Sequence, residues 1–175
     1  MADARSDALV LFGATGDLAF KQIFPALHAM AQRGHLHCPV IGLARQAWTD
    51  DQLRARAYES IAARGDVDPA AFARLASQLR YVAGDYNDPQ VFTVLRRALG
   101  ASERPLFYLA IPPSMFEVVI AGLAASGCTS GGRVVVEKPF GRDLACAPAL
   151  YAIVLKSCAE QEVFRIHHFL AEEPV

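Results

Sequence analysis

A glycine-rich stretch near the start of the chain, Gly13-Ala-Thr-Gly-Asp-Leu-Ala19, has the residue types and spacing of a phosphate-binding turn. It follows a short apolar run, Ala8 to Phe12, and precedes residues with helical spacing. A strand that enters a helix through two glycines brings several unpaired backbone N–H groups to the positive end of the helix dipole, where they can bind a phosphate. The spacing G-x-x-G-x-x-A is related to the standard dinucleotide fingerprint but differs from it. Glycines that merely form a tight turn are therefore the alternative interpretation.

An arginine, Arg45, follows the second predicted strand, Pro39 to Leu43. Sites for NAD commonly place an Asp or Glu here, where it accepts hydrogen bonds from the ribose hydroxyls. The end of this predicted strand has no acid. A guanidinium offers a planar set of donors to a 2′-phosphate and can stack on adenine, so the pattern favours NADP over NAD. A surface arginine that happens to follow a strand is the alternative.

The elements that must position these residues alternate along the chain. Further strands are predicted from apolar runs at Leu79 to Ala83, Pro105 to Ile111, Arg133 to Val136 and Val163 to Ile166. Helices are predicted from capping signals and periodicity at Thr49 to Ala63, Asp68 to Ser77, Asn87 to Leu99, Phe116 to Ser126 and Asp143 to Glu160. This alternation indicates an α/β protein, a Rossmann-like doubly wound, mostly parallel sheet of about six strands with helices on both faces. A single domain over residues 1–175 is expected.

Composition excludes several classes of function. Hydrophobic residues make up 53% of the chain and charged residues 20%, which excludes disorder. The net charge of -1 gives no general field for nucleic acid or an acidic membrane. The longest later apolar run, Val118 to Ala125, is too short to span a bilayer, and no secretory signal is visible. Four widely spaced cysteines favour neither a metal site nor a disulfide framework, so we expect a cytoplasmic protein.

Three stretches together resemble one family. Gly13-Ala-Thr-Gly-Asp-Leu-Ala19, Glu137-Lys-Pro-Phe-Gly141 and Arg165-Ile-His-His-Phe-Leu170, in this order and at these separations, are similar to motifs of the NADP-binding domain of glucose-6-phosphate dehydrogenase. The resemblance implies a Rossmann domain that binds NADP. It also implies oxidation of the C1 hydroxyl of glucose 6-phosphate to the lactone, with the hydride passing to NADP.

The resemblance also assigns roles to individual residues. Those implied to contact the cofactor are Gly13, Thr15, Gly16, Asp17 and Leu18 along the glycine turn, Arg45 and Gln46 at the adenosine 2′-phosphate, and Tyr108, Pro112 and Pro113 on the ribose and nicotinamide side. Lys138 is implied to reach both nicotinamide and sugar, and His168 to bind the substrate phosphate. A structural ion pair of Lys138 with Glu137 or Asp17 is the alternative. The adjacent His167 and His168 would face opposite ways on an extended chain, so no metal site is predicted.

The chain departs from the family pattern on the substrate side. His167 stands where the family has an Asp, Ala171 where it has a Gly, Glu172 where it has a Lys, and Gln22 where it has a Lys. The resemblance places the catalytic histidine and the substrate domain beyond Val175. We therefore expect the 175-residue chain alone to be inactive, with no intact catalytic residue, and a non-catalytic NADP-binding fragment or a degenerate remnant is the alternative. A homo-oligomer is left open, because the family's subunit contacts lie largely in the second domain.

Overall fold

Six parallel strands form one sheet in the computed structural model, which describes residues 5–137 and 163–166. The strands are β1 (Ala8–Phe12), β2 (Val40–Ala44), β3 (Leu79–Ala83), β4 (Pro105–Leu109), β5 (Arg133–Glu137) and β6 (Val163–Ile166). Their order across the sheet is β3-β2-β1-β4-β5-β6. The order reverses between β1 and β4, so a crevice opens there at the carboxyl ends of the strands. The prediction of a doubly wound parallel sheet is confirmed.

The described α-helices are α1 (Phe24–Gln32), α2 (Asp50–Ala62), α3 (Pro69–Gln78), α4 (Pro89–Leu99) and α5 (Phe116–Ala125). Of these, α2, α3 and α4 begin where a capping residue predicts them. Thr49 caps α2, and both hydrogen bonds of its capping box with Gln52 are present, at 2.9 and 3.3 Å. Asp68 and Asp88 cap α3 and α4 ahead of a proline, as expected. The helix predicted over residues 143–160 lies outside the described residues.

Each face of the sheet buries its own apolar cluster. Alternate residues of β1, Ala8, Val10 and Phe12, pack with α4 and α5 on one face of the sheet. Leu11 packs with α1, α2 and α3 on the other. Successive side chains of a strand point to opposite faces, so a strand that is apolar throughout needs helices on both sides. The described helices provide them.

Three strands have boundaries that differ from the predicted ones, and the fifth strand does so only by ending at Glu137 instead of Val136. The second strand begins at Val40 instead of Pro39, although the Pro39 carbonyl still accepts from Leu9 N at 2.9 Å, and it continues to Ala44, whose carbonyl accepts from Gly84 N at 3.0 Å. The fourth strand ends at Leu109 instead of Ile111, because the chain turns there toward the prolines that follow.

A π-helical turn, Ala19–Ile23, connects the glycine turn to α1. Its wider hydrogen-bond pattern pairs Phe24 N with Ala19 O, which leaves the Phe20 carbonyl without its usual partner. The carbonyl of Lys21 also lacks its usual helical partner, because Pro25 has no N–H. Ser60 in the last turn of α2 and Arg64 just after that helix supply the missing donors: Ser60 donates to Phe20 O and Arg64 donates to Lys21 O. The irregular start of the first helix is thus fixed by the second.

Candidate functional site

The glycine turn lies at the carboxyl end of β1, in the crevice where the strand order reverses. Gly13 has a φ of +78°, and a Cβ built on it would lie 2.2 Å from the backbone oxygen of Ala110. No other residue type fits, because the left-handed φ and the close approach of the chain after β4 both require the absence of a side chain. The turn is therefore held between the ends of the two central strands.

A buried tyrosine supports the turn from beneath. Gly13 N donates to the phenolic oxygen of Tyr86 at 2.9 Å and to the carbonyl of Leu43 at 2.9 Å. The Tyr86 hydroxyl in turn donates to the same Leu43 carbonyl at 3.1 Å. Burial raises the pKa of Tyr86, against smaller opposing effects of the Gly13 bond and Arg45, so the hydroxyl keeps its proton at neutral pH. Tyr86 thereby connects the turn to the end of β2.

The turn keeps backbone donors available for an anion. Within the described part of the chain, no acceptor takes the backbone N–H of Thr15 or Asp17. Such donors at the start of a helix are suited to a pyrophosphate. The exposed side chain of Asp17 pairs with Lys21 at 3.4 Å, one turn along the helix. From the sequence, Asp17 was a possible ion-pair partner of Lys138. The structure shows it paired with Lys21.

The end of β2 is tied to the glycine turn. Thr15 Oγ1 donates to Gln46 Oε1 at 2.7 Å, so two residues expected at different parts of the cofactor are in contact. The loop that carries Arg45 and Gln46 is held by Tyr81, whose hydroxyl donates to Gln46 O at 2.8 Å and whose ring lies 6.0 Å from that of Trp48. Burial raises the pKa of Tyr81 to about 12, and Tyr86 adds to the rise.

A cleft of about 280 Å³ opens beside the turn at the ends of β4 and β5. Its lining residues are Leu18, Leu109, Ala110, Ile111, Pro112, Pro113, Phe116 and Glu137. Three residues expected to contact the cofactor, Leu18, Pro112 and Pro113, are thus brought together. Tyr108 does not line this cleft, but its hydroxyl donates to Glu137, which does. Burial raises the pKa of Tyr108, and the hydrogen bond to Glu137 and the charge of its carboxylate raise it further.

Several expected site residues lie outside the described residues. These are Lys138, His167 and His168, together with the substituted positions Ala171 and Glu172. Gln22 is described and is exposed on the π-helical turn. Among the described residues, no group of three His, Cys, Asp or Glu side chains could hold a metal ion. No helix in those same ranges has the length and apolar character to cross a membrane.

A larger cavity, of about 790 Å³, lies away from the glycine turn, at the amino ends of the strands. It is bounded by the start of β1, by α1 and by the residues before β2. Tyr108, expected on the ribose and nicotinamide side, lines this cavity, whereas none of the residues expected to bind the phosphates does. Ligands in doubly wound sheets bind at the carboxyl ends of the strands, so the smaller cleft is the candidate site.

A strand, a glycine turn and a helix at the point of strand reversal, with an arginine at the end of the next strand, define a dinucleotide-binding domain of the doubly wound type. The chain belongs to the glucose-6-phosphate dehydrogenase family, whose model "Glucose-6-phosphate dehydrogenase, NAD binding domain" matches residues 10–175. The resemblance found in the three motifs is confirmed. The prediction of NADP is confirmed at the level of the family.

Relatives match over nearly the whole of this chain. Glucose-6-phosphate 1-dehydrogenase 1 of Mycobacterium tuberculosis is 42% identical over 170 residues, which are 97% of this chain and 36% of the relative. The crystal structure of glucose-6-phosphate 1-dehydrogenase from Mycobacterium avium aligns with a TM-score of 0.90 at 43% identity, over 97% of this chain and 37% of that one. A glucose-6-phosphate dehydrogenase solved with its substrate glucose-6-phosphate aligns at 0.82 and 34% identity, over 96% and 38%. The chain therefore spans little more than a third of these relatives' lengths.

Proposed function

We propose that this chain is the NADP-binding part of a glucose-6-phosphate dehydrogenase, organised as a single domain over residues 1–175. The observation that supports it best is the contact between Thr15 and Gln46, at 2.7 Å, which joins the expected pyrophosphate turn to the expected 2′-phosphate loop. The hydrogen bond brings together two subsites that must bind one ligand. A glycine turn with no role in binding has no need of this connection.

In this proposal, different residues bind different parts of the cofactor. The backbone N–H groups of Thr15 and Asp17 would donate to the pyrophosphate, and Arg45 with Gln46 would take the 2′-phosphate. The cleft between Leu18 and Pro112 would hold the ribose and nicotinamide end, with Tyr108 acting through Glu137. NADP, when bound, supplies the acceptor for a hydride.

The substrate side of the proposal depends on residues known here only from the sequence. In the sequence, Lys138 directly follows Glu137, the last residue of β5. We assign it contacts to nicotinamide and sugar, and we assign His168 the phosphate of glucose 6-phosphate. A relative solved with glucose-6-phosphate supports this class of substrate. A cytoplasmic location and a homo-oligomer stay predictions.

A second candidate function is a binding module that holds NADP without oxidising a sugar phosphate. It is favoured by Glu172, an anion where the family has a cation facing the substrate phosphate. One charge pair at about 4 Å near a surface is worth roughly 4 kcal/mol at an effective dielectric of 20, so reversing its sign would weaken phosphate binding severely. His167 likewise cannot supply the negative charge of the carboxylate that it replaces.

The experiment is a titration of the 175-residue chain with NADP, followed through the fluorescence of Trp48, the chain's single tryptophan. Trp48 lies three residues after Arg45 and packs near Tyr81, so a bound adenosine should change its emission. Saturable binding supports both candidates, and a flat titration confirmed by calorimetry contradicts both.

A positive turnover assay would exclude the second candidate. We expect no reduction of NADP when glucose 6-phosphate is added to the 175-residue chain, measured by nicotinamide absorbance, because the family's catalytic base is not within it. A rate above the no-enzyme control that disappears in Lys138→Ala would contradict that expectation. It would establish the dehydrogenase over the binding module.

A further inference from the structure

Asp85 and Arg45 directly follow two residues that are hydrogen-bonded to each other, Gly84 and Ala44, although they are far apart in sequence. The residues on either side of Asp85 are both bonded to the end of β2: Gly84 N donates to Ala44 O at 3.0 Å, and the Tyr86 hydroxyl donates to Leu43 O at 3.1 Å. Ala44 directly precedes Arg45 in the chain. Asp85 is therefore held against the loop that carries the arginine.

The Asp85 side chain is both oriented and charged. Its Oδ1 accepts from Asn87 N at 2.9 Å and from Asn87 Nδ2 at 2.8 Å. These two bonds lower the pKa of Asp85 against a small effect of burial, and the field of Arg45 lowers it further. The carboxylate is exposed, so a ligand can approach it.

Arg45 and Asp85 attract each other without forming a closed ion pair. Both side chains are exposed. Within the described part of the chain, no carboxylate oxygen lies within 4.0 Å of the Arg45 guanidinium. A 2′-phosphate bound at Arg45 would therefore enter the field of a fixed negative charge on the neighbouring strand end. The 2′-hydroxyl of NAD meets no such repulsion, and a carboxylate is the group that usually accepts its hydrogen bond.

We propose that Asp85 is a specificity-determining residue that opposes the 2′-phosphate at Arg45, so that the site discriminates between NADP and NAD less than the arginine alone would. This inference rests on the proposed function, because it requires the adenosine end of the cofactor at Arg45. The sequence has no acid at the end of β2, where NAD sites commonly have one. In this proposal Asp85, after the end of β3, provides an acid at the same subsite.

The test is Asp85→Asn, with the dissociation constants of NADP and NAD measured by calorimetry on the 175-residue chain. The amide oxygen of asparagine can still accept from Asn87 N, so the turn is kept while the charge is lost. Asp66→Asn, at an equally exposed carboxylate in the loop between α2 and α3, is the matched control. We expect NADP to bind about three- to tenfold more tightly to Asp85→Asn at low ionic strength, with NAD unchanged or weaker. In about 1 M salt, where the screening length falls to about 3 Å, the gain should largely disappear.

Two results would overturn the inference while leaving the proposed function intact. One is an unchanged ratio of NADP to NAD affinity in Asp85→Asn. The other is the same change in ratio in Asp66→Asn, which would indicate only the net charge of the protein. Failure of the wild-type chain to bind either nucleotide would instead overturn the proposed function, and the inference with it.

Discussion

The backbone N–H of Gly13 points at the phenolic oxygen of Tyr86, 2.9 Å away, across 73 residues of sequence. The ring of Tyr86 also packs edge-on against Phe12, the residue before the turn, with 5.6 Å between centroids. One buried side chain thus contacts the end of the first strand and the first residue of the turn, while its hydroxyl also bonds the second strand. The position of the turn depends on this side chain as well as on the local glycines.

Tyr86→Phe should weaken NADP and NAD binding by the same factor, about three- to tenfold. The two nucleotides share the pyrophosphate, and Gly13 would keep its bond to Leu43, so the loss is about 1 kcal/mol of turn stability. Calorimetric titration of both nucleotides measures this. A purely structural role would lower the melting temperature with both affinities unchanged, and that result would contradict the assignment.

Gly13→Ala should destabilise the fold by more than about 3 kcal/mol, because the new Cβ would meet the Ala110 backbone oxygen at 2.2 Å. Gly34→Ala is the matched control. Gly34 has a similar φ of +68°, but nothing lies within 4 Å of its added Cβ, so only the backbone strain of about 1–2 kcal/mol applies. Urea denaturation of the two variants measures the difference. Equal losses would show that the approach of the chain after β4 is not what requires glycine.

Arg45→Ala should weaken NADP binding by about ten- to hundredfold and leave NAD binding within about twofold. The reason is the loss of charge-assisted hydrogen bonds to a 2′-phosphate that only NADP has, worth about 1.5–3 kcal/mol. Arg97→Ala, at an exposed arginine in the last turn of α4, is the control. Equal weakening of both nucleotides by Arg45→Ala would refute the role in phosphate recognition.

Ser60→Ala should lower the free energy of unfolding by about 1–3 kcal/mol, because the Phe20 carbonyl in the π-helical turn would lose its donor. Ser60 is buried. Ser77→Ala removes an exposed serine hydroxyl that bonds Arg74 O and should change stability by less than about 0.5 kcal/mol. Thermal and urea denaturation of both variants provide the comparison. Similar small effects in both would mean that the irregular turn does not depend on α2.

Lowering the pH should reduce the free energy of unfolding, because the Asp7 carboxylate stabilises the fold. Its carboxylate accepts from Ser102 Oγ at 2.5 Å, Glu103 N at 2.8 Å and Arg104 N at 3.0 Å. Burial alone would raise the pKa of Asp7, but these hydrogen bonds outweigh it and lower the pKa. A carboxyl with a lowered folded-state pKa stabilises the fold above its unfolded value, about 3.9, and this contribution is lost as pH falls through the folded value.

Asp7→Asn should accordingly be less stable than wild type at neutral pH and should lose less stability below about pH 4. Urea denaturation at a series of pH values measures both. If the wild-type and variant curves stay parallel as pH falls, the carboxylate has no such role.

Local signals predicted the elements well. The capping box at Thr49, the Asp-Pro starts of α3 and α4, and the apolar run of β3 depend on neighbours within a few residues, and the structure places each of them as expected. The tight glycine turn after β1 was also predictable, since glycine spacing after an apolar run is itself local. The exact ends of strands were less predictable: β2 begins one residue later and ends one residue later than the apolar run indicates.

The contacts that complete the site were not predictable in this way. Tyr86 and Asp85 follow β3, and nothing near them in sequence indicates a partner in the glycine turn or beside Arg45. The signal that could have found them is topological. In the order β3-β2-β1, residues just after β3 must lie beside the end of β2, so polar side chains there are candidates for the adenosine subsite.

The dependence of the turn on Leu43, Tyr86 and Ala110 has a consequence for biosynthesis. The first thirty or so residues leaving the ribosome cannot form the proposed nucleotide site by themselves. The residues that position the glycine turn, Leu43, Tyr86 and Ala110, are complete only when the fourth strand has been synthesised. Cofactor bound as proposed would then stabilise the assembled strands β1 to β4 by mass action once residue 110 has left the ribosome.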